Sequence, residues 1–200
     1  MKGKCKVKAS IVCFLITLGL ASSNSFCYEI SVATPANNNL TYKVSSTMPA
    51  VAQSSVTSAA AEWNSRGNFN LIYGGYRSSA PSKYDNVFDV AYVNPSDFDF
   101  PTKAVGVCIK YSYSYTYCDI FLNSTKKWTN GNKEGYYDYQ GILTHEFGHA
   151  IGLGDVYYYS GNVSTMYGLH STSSTNYGVA SYQLRSLESD DLNGYNYLWP

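Results

Sequence analysis

The apolar positions divide the chain into an apolar N-terminal run and, after it, short strand-like segments interrupted by three helical ones. LTYKV at 40–44 alternates apolar and polar side chains and predicts a first strand. Over 50–66, Val51, Val56, Ala59, Ala60 and Trp63 fall roughly on one helical face, and Gly67 is placed to stop the helix. FNLIY (69–73) and VFDVAYV (87–93) read as strands. AVGVCIKY, a tyrosine-rich turn and YCDIFLN read as two further strands joined in a hairpin. Asp138 is positioned to cap a helix over 139–151, ended by Gly152. Ser189, Asp190 and Asp191 open a last helix, their acidic groups favourable in its first turn, with Leu192, Tyr195 and Trp199 following at i, i+3 and i+7. The Gly- and Ser-rich stretches 74–82 and 160–181 read as loops.

The N-terminal run has a different logic. Lys2, Lys4, Lys6 and Lys8 precede the apolar residues 11–20, and small residues follow at Ala21, Ser22, Ser23 and Ser25. That is the pattern of a secretory signal, and the run is shorter than the roughly 20 residues needed to cross a bilayer core. The expectation is a signal peptide over 1–27, cleaved between 23 and 27, followed by one exported domain over 28–200. Removing the four lysines takes the basic count from 14 to 10 against 14 acidic residues. Neither charge nor hydropathy points to nucleic acid or a membrane, and a soluble monomer is expected.

Composition adds two points. With 44% apolar and 14% charged residues the chain can bury a core, and 21 tyrosines suit half-polar sheet surfaces. Cys5 and Cys13 fall in the signal, while Cys108 and Cys118 flank nine residues of the hairpin and are expected to form a disulfide clip; two free thiols are the alternative. Cys27 is either removed with the signal or unpaired.

The chemistry is concentrated in THEFGHAIGLGD, 144–155. His145 and His149, four apart on a helix, project from one face and reach one zinc ion. Glu146, rotated by one residue, is free to hold the attacking water instead of the metal. Leu143, Phe147, Ala150 and Ile151 form the apolar face that anchors the helix. Gly152 permits a sharp turn, after which the chain doubles back to present Asp155 to the same ion.

HEFGHAIGLGD resembles the extended motif of the metzincin metallopeptidases, and among them the matrixin-like group. AAEWN (60–64) is similar to that family's first-helix pattern, CDIFLNSTKKW (118–128) to its edge-strand signature, STMY (164–167) to its Met-turn and SDDLNGYNYLW (189–199) to its last helix. The resemblance implies an α+β, metzincin-like zincin fold: a twisted mixed sheet with an antiparallel edge strand, an active-site helix and a C-terminal helix. It implies one catalytic Zn2+ on His145, His149 and Asp155, with Glu146 as the catalytic general base. Asp155 stands where the family usually has a third histidine, as in snapalysin-like bacterial relatives; a carboxylate oxygen is a competent zinc ligand. Met166 is expected in a hydrophobic floor under the metal. His170 reads first as a loop histidine near the cleft and second as a ligand. Calcium is possible near Asp85, Asp89, Asp97 and Asp99, though no calcium spacing supports it.

The expected activity is that of a secreted zinc endopeptidase, its protein or peptide substrate extended along an edge strand at 119–123. The rivals are a secreted binding or adhesion protein on the same scaffold, against which the intact Glu146 argues, and an amidase acting on a non-protein amide.

Overall fold

The computed structural model describes residues 28–98, 100, 101, 103–157, 164–173 and 178–200. The first half runs β1 (Thr34–Pro35), β2 (Asn39–Ser45), α1 (Ala50–Asn64), β3 (Asn70–Arg77), β4 (Phe88–Val93) and the single turn α2 (Pro95–Phe98). There follow β5 (Gly106–Lys110), β6 (Ser114–Tyr115), β7 (Cys118–Asn123), β8 (Trp128–Thr129), β9 (Tyr137–Asp138) and α3 (Tyr139–Ala150). The chain ends with β10 (His170–Ser171), β11 (Val179–Ala180), a 3-10 turn (Ser181–Arg185) and α4 (Ser189–Leu198).

Five strands form the main sheet in the order β3-β2-β4-β7-β5, parallel except for β5. This is the expected α+β architecture, with a mixed sheet, an antiparallel edge strand and two long helices beneath. Strands β4 and β7 are almost wholly buried because both faces are covered, so they read as near-continuous apolar runs. One face packs on α1 and α3 through Val90, Ile120, Leu122, Phe147 and Trp63; the other carries a small cluster of Ala91, Val93, Phe100 and Phe121. Trp63 of α1 ties the helices together, donating from Nε1 to the Thr144 carbonyl at 2.8 Å and stacking on Tyr195.

Several expectations are corrected. Val51 is 59% exposed; the buried stripe of α1 is Ala52, Val56, Ala59, Ala60 and Trp63, whose i+3/i+4 spacing leaves Val51 turned to solvent. The stretch 74–82 is a loop only in part, because β3 continues to Arg77 through Gly75 at φ +99°, where β2 and β3 shift register. Within 160–181 lie β10 and β11.

The CDIFLN strand is not the sheet edge. As β7 it pairs with β4 on one side and β5 on the other, so its backbone groups are already used and β5 is the edge. Cys108 and Cys118 carry free thiols. Their strands do pair antiparallel, but Cys108 lies opposite Ile120 and Cys118 opposite Lys110. The two are diagonal neighbours whose side chains meet as a thiol–thiol hydrogen bond, with no bond between the sulfurs.

Residues 1–27, including the signal, its cleavage point, Cys5, Cys13 and Cys27, lie outside the described residues, as does Asp99. Among the described residues no helix is long and apolar enough to cross a membrane.

Candidate metal centre

Helix α3 is fixed at both ends. Asp138 caps it, accepting from the Gly141 amide at 2.8 Å, and is itself held by Arg185 through Nε at 2.7 Å and Nη2 at 2.6 Å. At the other end Tyr115 Oη donates to the Ala150 carbonyl at 2.8 Å and Trp199 Nε1 to that of Ile151 at 3.0 Å. Gly152, at φ +109°, then turns the chain. Beyond it, Gly154 donates to Glu29 at 2.8 Å and Val156 to Met166 at 2.7 Å, so Asp155 is held between two pinned neighbours.

The three expected ligands converge. Asp155 Oδ1 stands 3.3 Å from His145 Nε2 and 3.4 Å from His149 Nε2. Ligand atoms on a tetrahedral zinc with bonds of 2.0–2.1 Å stand about 3.3–3.4 Å apart, so both separations fit one ion. The remaining ring nitrogens set the tautomers. His145 Nδ1 lies 2.8 Å from the Thr165 carbonyl and His149 Nδ1 3.0 Å from that of Leu153. A carbonyl only accepts, so each Nδ1 carries its proton and each Nε2 presents a lone pair. Two imidazoles and a carboxylate are a zinc donor set. Among the described residues this is the one cluster of His, Cys, Asp or Glu able to converge on an ion.

The charges agree with the geometry. Burial pushes the Asp155 carboxyl up, but when the two imidazoles are protonated their hydrogen bonds and charge outweigh it and hold the group well below the usual carboxylate range. Burial works to lower His149, and the contacts with Asp155 and Glu146 reverse the outcome, raising it. Tyr157 Oη donates to the outer oxygen of Asp155 at 3.3 Å.

Glu146 is 3% exposed and sits beside the ligands. Burial raises its pKa against the pull of the two imidazoles. Its Oε2 has no hydrogen-bond partner among the described residues, while a Cβ on Gly106 of β5 would come within 2.8 Å of Oε1. An orphaned buried carboxylate oxygen at the ligands' flank is where a general base needs to hold a water.

Met166 forms the floor. It is 2% exposed, and a Cβ on Gly148 would fall 2.2 Å from its sulfur, so glycine lets α3 rest on it. Asp191 of α4 secures that turn, its Oδ1 accepting from Ser164 Oγ at 2.6 Å and from the Met166 amide at 3.0 Å, its Oδ2 from the Thr165 amide at 2.8 Å. Sequence reasoning gave Asp191 only a place in the first turn of the last helix. The Glu188-x-x-Asp191 spacing, which forms a capping box here, was the available signal. The role of Gly106 has no counterpart in the sequence.

His170 lies in β10, not in a loop. Its Nε2 is 3.2 Å from His145 Nδ1, on the side of the ring away from the converging nitrogens, and it takes no part in the ligand cluster. Burial, then the His145 ring, push its pKa well down. Asp85 and Asp89 are paired with Arg77 and Asp97 is exposed.

The cleft, about 740 Å³, runs between β5 and the 168–171 segment, with His145, Glu146, His149 and Asp155 at its base. Zinc held by the two Nε2 atoms and Asp155 would polarise a carbonyl and acidify water there.

Seventy-seven chains of solved structure are similar to this one. Among them is high choriolytic enzyme 1, a hatching enzyme zinc-protease from Oryzias latipes (medaka fish), with 14% identity and a TM-score of 0.43 over 90% of this chain and 98% of that one. No curated protein matches. The sequence profile of the Matrixin peptidases (Peptidase_M10) matches residues 34–199, almost the whole described chain, and this chain belongs to the Matrixin family of zinc metalloproteases.

Proposed function

We propose that the protein is a secreted zinc endopeptidase in which Glu146 is the general base. The observation that carries the reading is the pairing of three ligand atoms at zinc spacing with an adjacent carboxylate whose Oε2 is unpartnered.

Glu146 takes a proton from the attacking water and passes it to the departing amine as the peptide bond breaks. Burial, the cause of its raised pKa, makes the carboxylate a stronger base toward that water. His145 and His149, each oriented by a backbone carbonyl, keep their Nε2 lone pairs fixed, so the site is organised before substrate arrives. Strand β5 ends the sheet order, and its outer backbone groups are available to a peptide added as a further strand. That supports an extended polypeptide substrate on β5, in place of the 119–123 strand first expected. The N-terminal signal pattern supports export.

The test is Glu146→Gln, assayed on a denatured protein substrate with zinc content measured in parallel. Full zinc occupancy with hydrolysis reduced by three or more orders of magnitude is expected; undiminished turnover by zinc-loaded variant would overturn the general-base role, and a zinc-loaded wild type that cuts nothing would favour a binding protein.

A further inference from the structure

Two charged groups in the cleft, Lys103 and Lys110, are left over by this mechanism, and only Lys110 is substantially buried. Lys110 closes strand β5 and lines the same cleft as Glu146, His149 and Asp155. Its ammonium donates to Ser31 Oγ at 2.7 Å and, more weakly, to the Ala33 carbonyl at 3.4 Å. Both acceptors are neutral. Among the described residues no carboxylate comes within ion-pair distance of Nζ; the ammonium lies 5.9 Å from the centre of the Tyr115 ring, a weak contact, and of its three protons one remains for a ligand. The group is also substantially buried: desolvation lowers its pKa, while the cysteines, Glu146 and Asp155 act in the opposite sense. Holding an unpaired cation partly out of water costs free energy that a bound anion recovers.

The register gives a position. Gly106 is the residue of β5 that abuts Glu146, and Gly106, Cys108 and Lys110 point to the same face of the strand. Lys110 therefore lies four residues along β5 from Gly106, about 13 Å between the two backbone positions at strand rise. Lys103, exposed at the opposite end of the same cleft wall, is too far along the chain to converge on the same group. A single ammonium with one donor to spare suits a singly charged carboxylate. A phosphoryl group, with more charge and more acceptor oxygens, calls for several converging donors.

We propose that Lys110 is a specificity-determining residue that selects polypeptides carrying an aspartate or glutamate side chain three to five residues from the scissile bond. The proposal rests on the endopeptidase reading and deepens it. A purely structural duty, with Lys110 only fastening the Ser31–Ala33 segment to the hairpin, would affect all substrates alike.

The experiment uses the zinc-loaded mature chain and a peptide set blocked at both ends. Glutamate and glutamine are compared at each position from five before to five after the cleaved bond. One position three to five residues away should favour glutamate by about tenfold in kcat/KM, expressed mainly in KM and shrinking as salt is raised. Lys110→Gln should bring that ratio to about one, and Lys110→Glu should reverse it, favouring glutamine. An active enzyme that treats glutamate and glutamine alike everywhere overturns the proposal, as does a preference that survives unchanged in Lys110→Gln. If zinc-loaded wild type cuts no peptide at all, the endopeptidase reading fails and the proposal with it, a result distinct from cleavage without selectivity.

Discussion

The carbonyl of Thr165 accepts a hydrogen bond from Nδ1 of His145 at 2.8 Å. Thr165 is in turn held by Asp191, whose carboxylate accepts its amide at 2.8 Å, so the orientation of a zinc ligand depends on a residue of the last helix. Asp191→Ala removes an acceptor shared by Ser164, Thr165, Met166 and Glu188 and leaves the buried Thr165 amide without it, while the Met166 amide keeps only Ser164 Oγ at 3.2 Å. The expected cost is about 3–5 kcal/mol of stability together with roughly 10–100-fold weaker zinc binding. Urea unfolding and competition with a chromogenic chelator measure the two. Zinc affinity equal to wild type in folded variant would show that the last helix does not position His145.

Gly106 and Glu146 make a second such pair. A Cβ at position 106 would lie 2.8 Å from Glu146 Oε1 and 3.1 Å from Ile142 Cγ2. Gly106→Ala should displace the carboxylate by a few tenths of an ångström while leaving the ligands in place. Activity is expected to fall about 10–100-fold with zinc content unchanged, since small displacements of a catalytic group carry costs of that order. A fully active alanine variant would mean that Glu146 needs no clearance from β5.

The two pairs differ in how far the sequence announced them. His145, Glu146 and His149 were legible because helical geometry alone puts two imidazoles on one face with the carboxylate beside them. Asp155 was legible because Gly152 marks the turn that returns the chain. The helices were readable from their caps and periodicity, but not the side on which a short apolar residue such as Val51 ends. The edge strand was misplaced because CDIFLN and AVGVCIKY have similar strand character, and only the pairing partners decide which lies inside. Gly106 and Thr165 act through backbone proximity to residues distant in the chain, and no local pattern encodes that.

Asp155 is the departure from the usual three-histidine set, and its substitutions separate ligation from packing. Asp155→Ala should weaken zinc binding by several orders of magnitude, because it removes the atom at 3.3 and 3.4 Å from the two Nε2 nitrogens. Asp155→His should retain stoichiometric zinc, an imidazole being an equally competent donor. Isothermal titration of the demetallated proteins distinguishes them. Unaltered affinity in the alanine variant would remove Asp155 from the ligand set.

Away from the cleft, the sheet buries two carboxyls that set a dependence on pH. Asp119 and Asp89 are both 0% exposed, and the Asp89 amide donates to Asp119 Oδ1 at 2.8 Å. Burial pushes Asp119 up to about 7, against the hydrogen bonds of Tyr111 and the Asp89 amide. Burial likewise lifts Asp89 to about 6, with Arg77 opposing it. Between the ordinary carboxylate value near 4 and these raised values, the folded chain keeps protons that the unfolded chain has already released. Their contribution to stability is therefore complete in acid and is lost as pH rises toward 7. Asp119→Asn preserves an acceptor for the Asp89 amide and deletes the ionisation. Measured by urea unfolding at fixed metal state, the variant should gain about 2–3 kcal/mol relative to wild type between pH 5 and pH 8. Comparing the two proteins at each pH cancels the effect of acid on the histidine ligands, which both share. A difference that stays flat across this range would mean that Asp119 is already ionised in the folded protein at pH 5, and that Tyr111 and the Asp89 amide stabilise the carboxylate more strongly than burial penalises it.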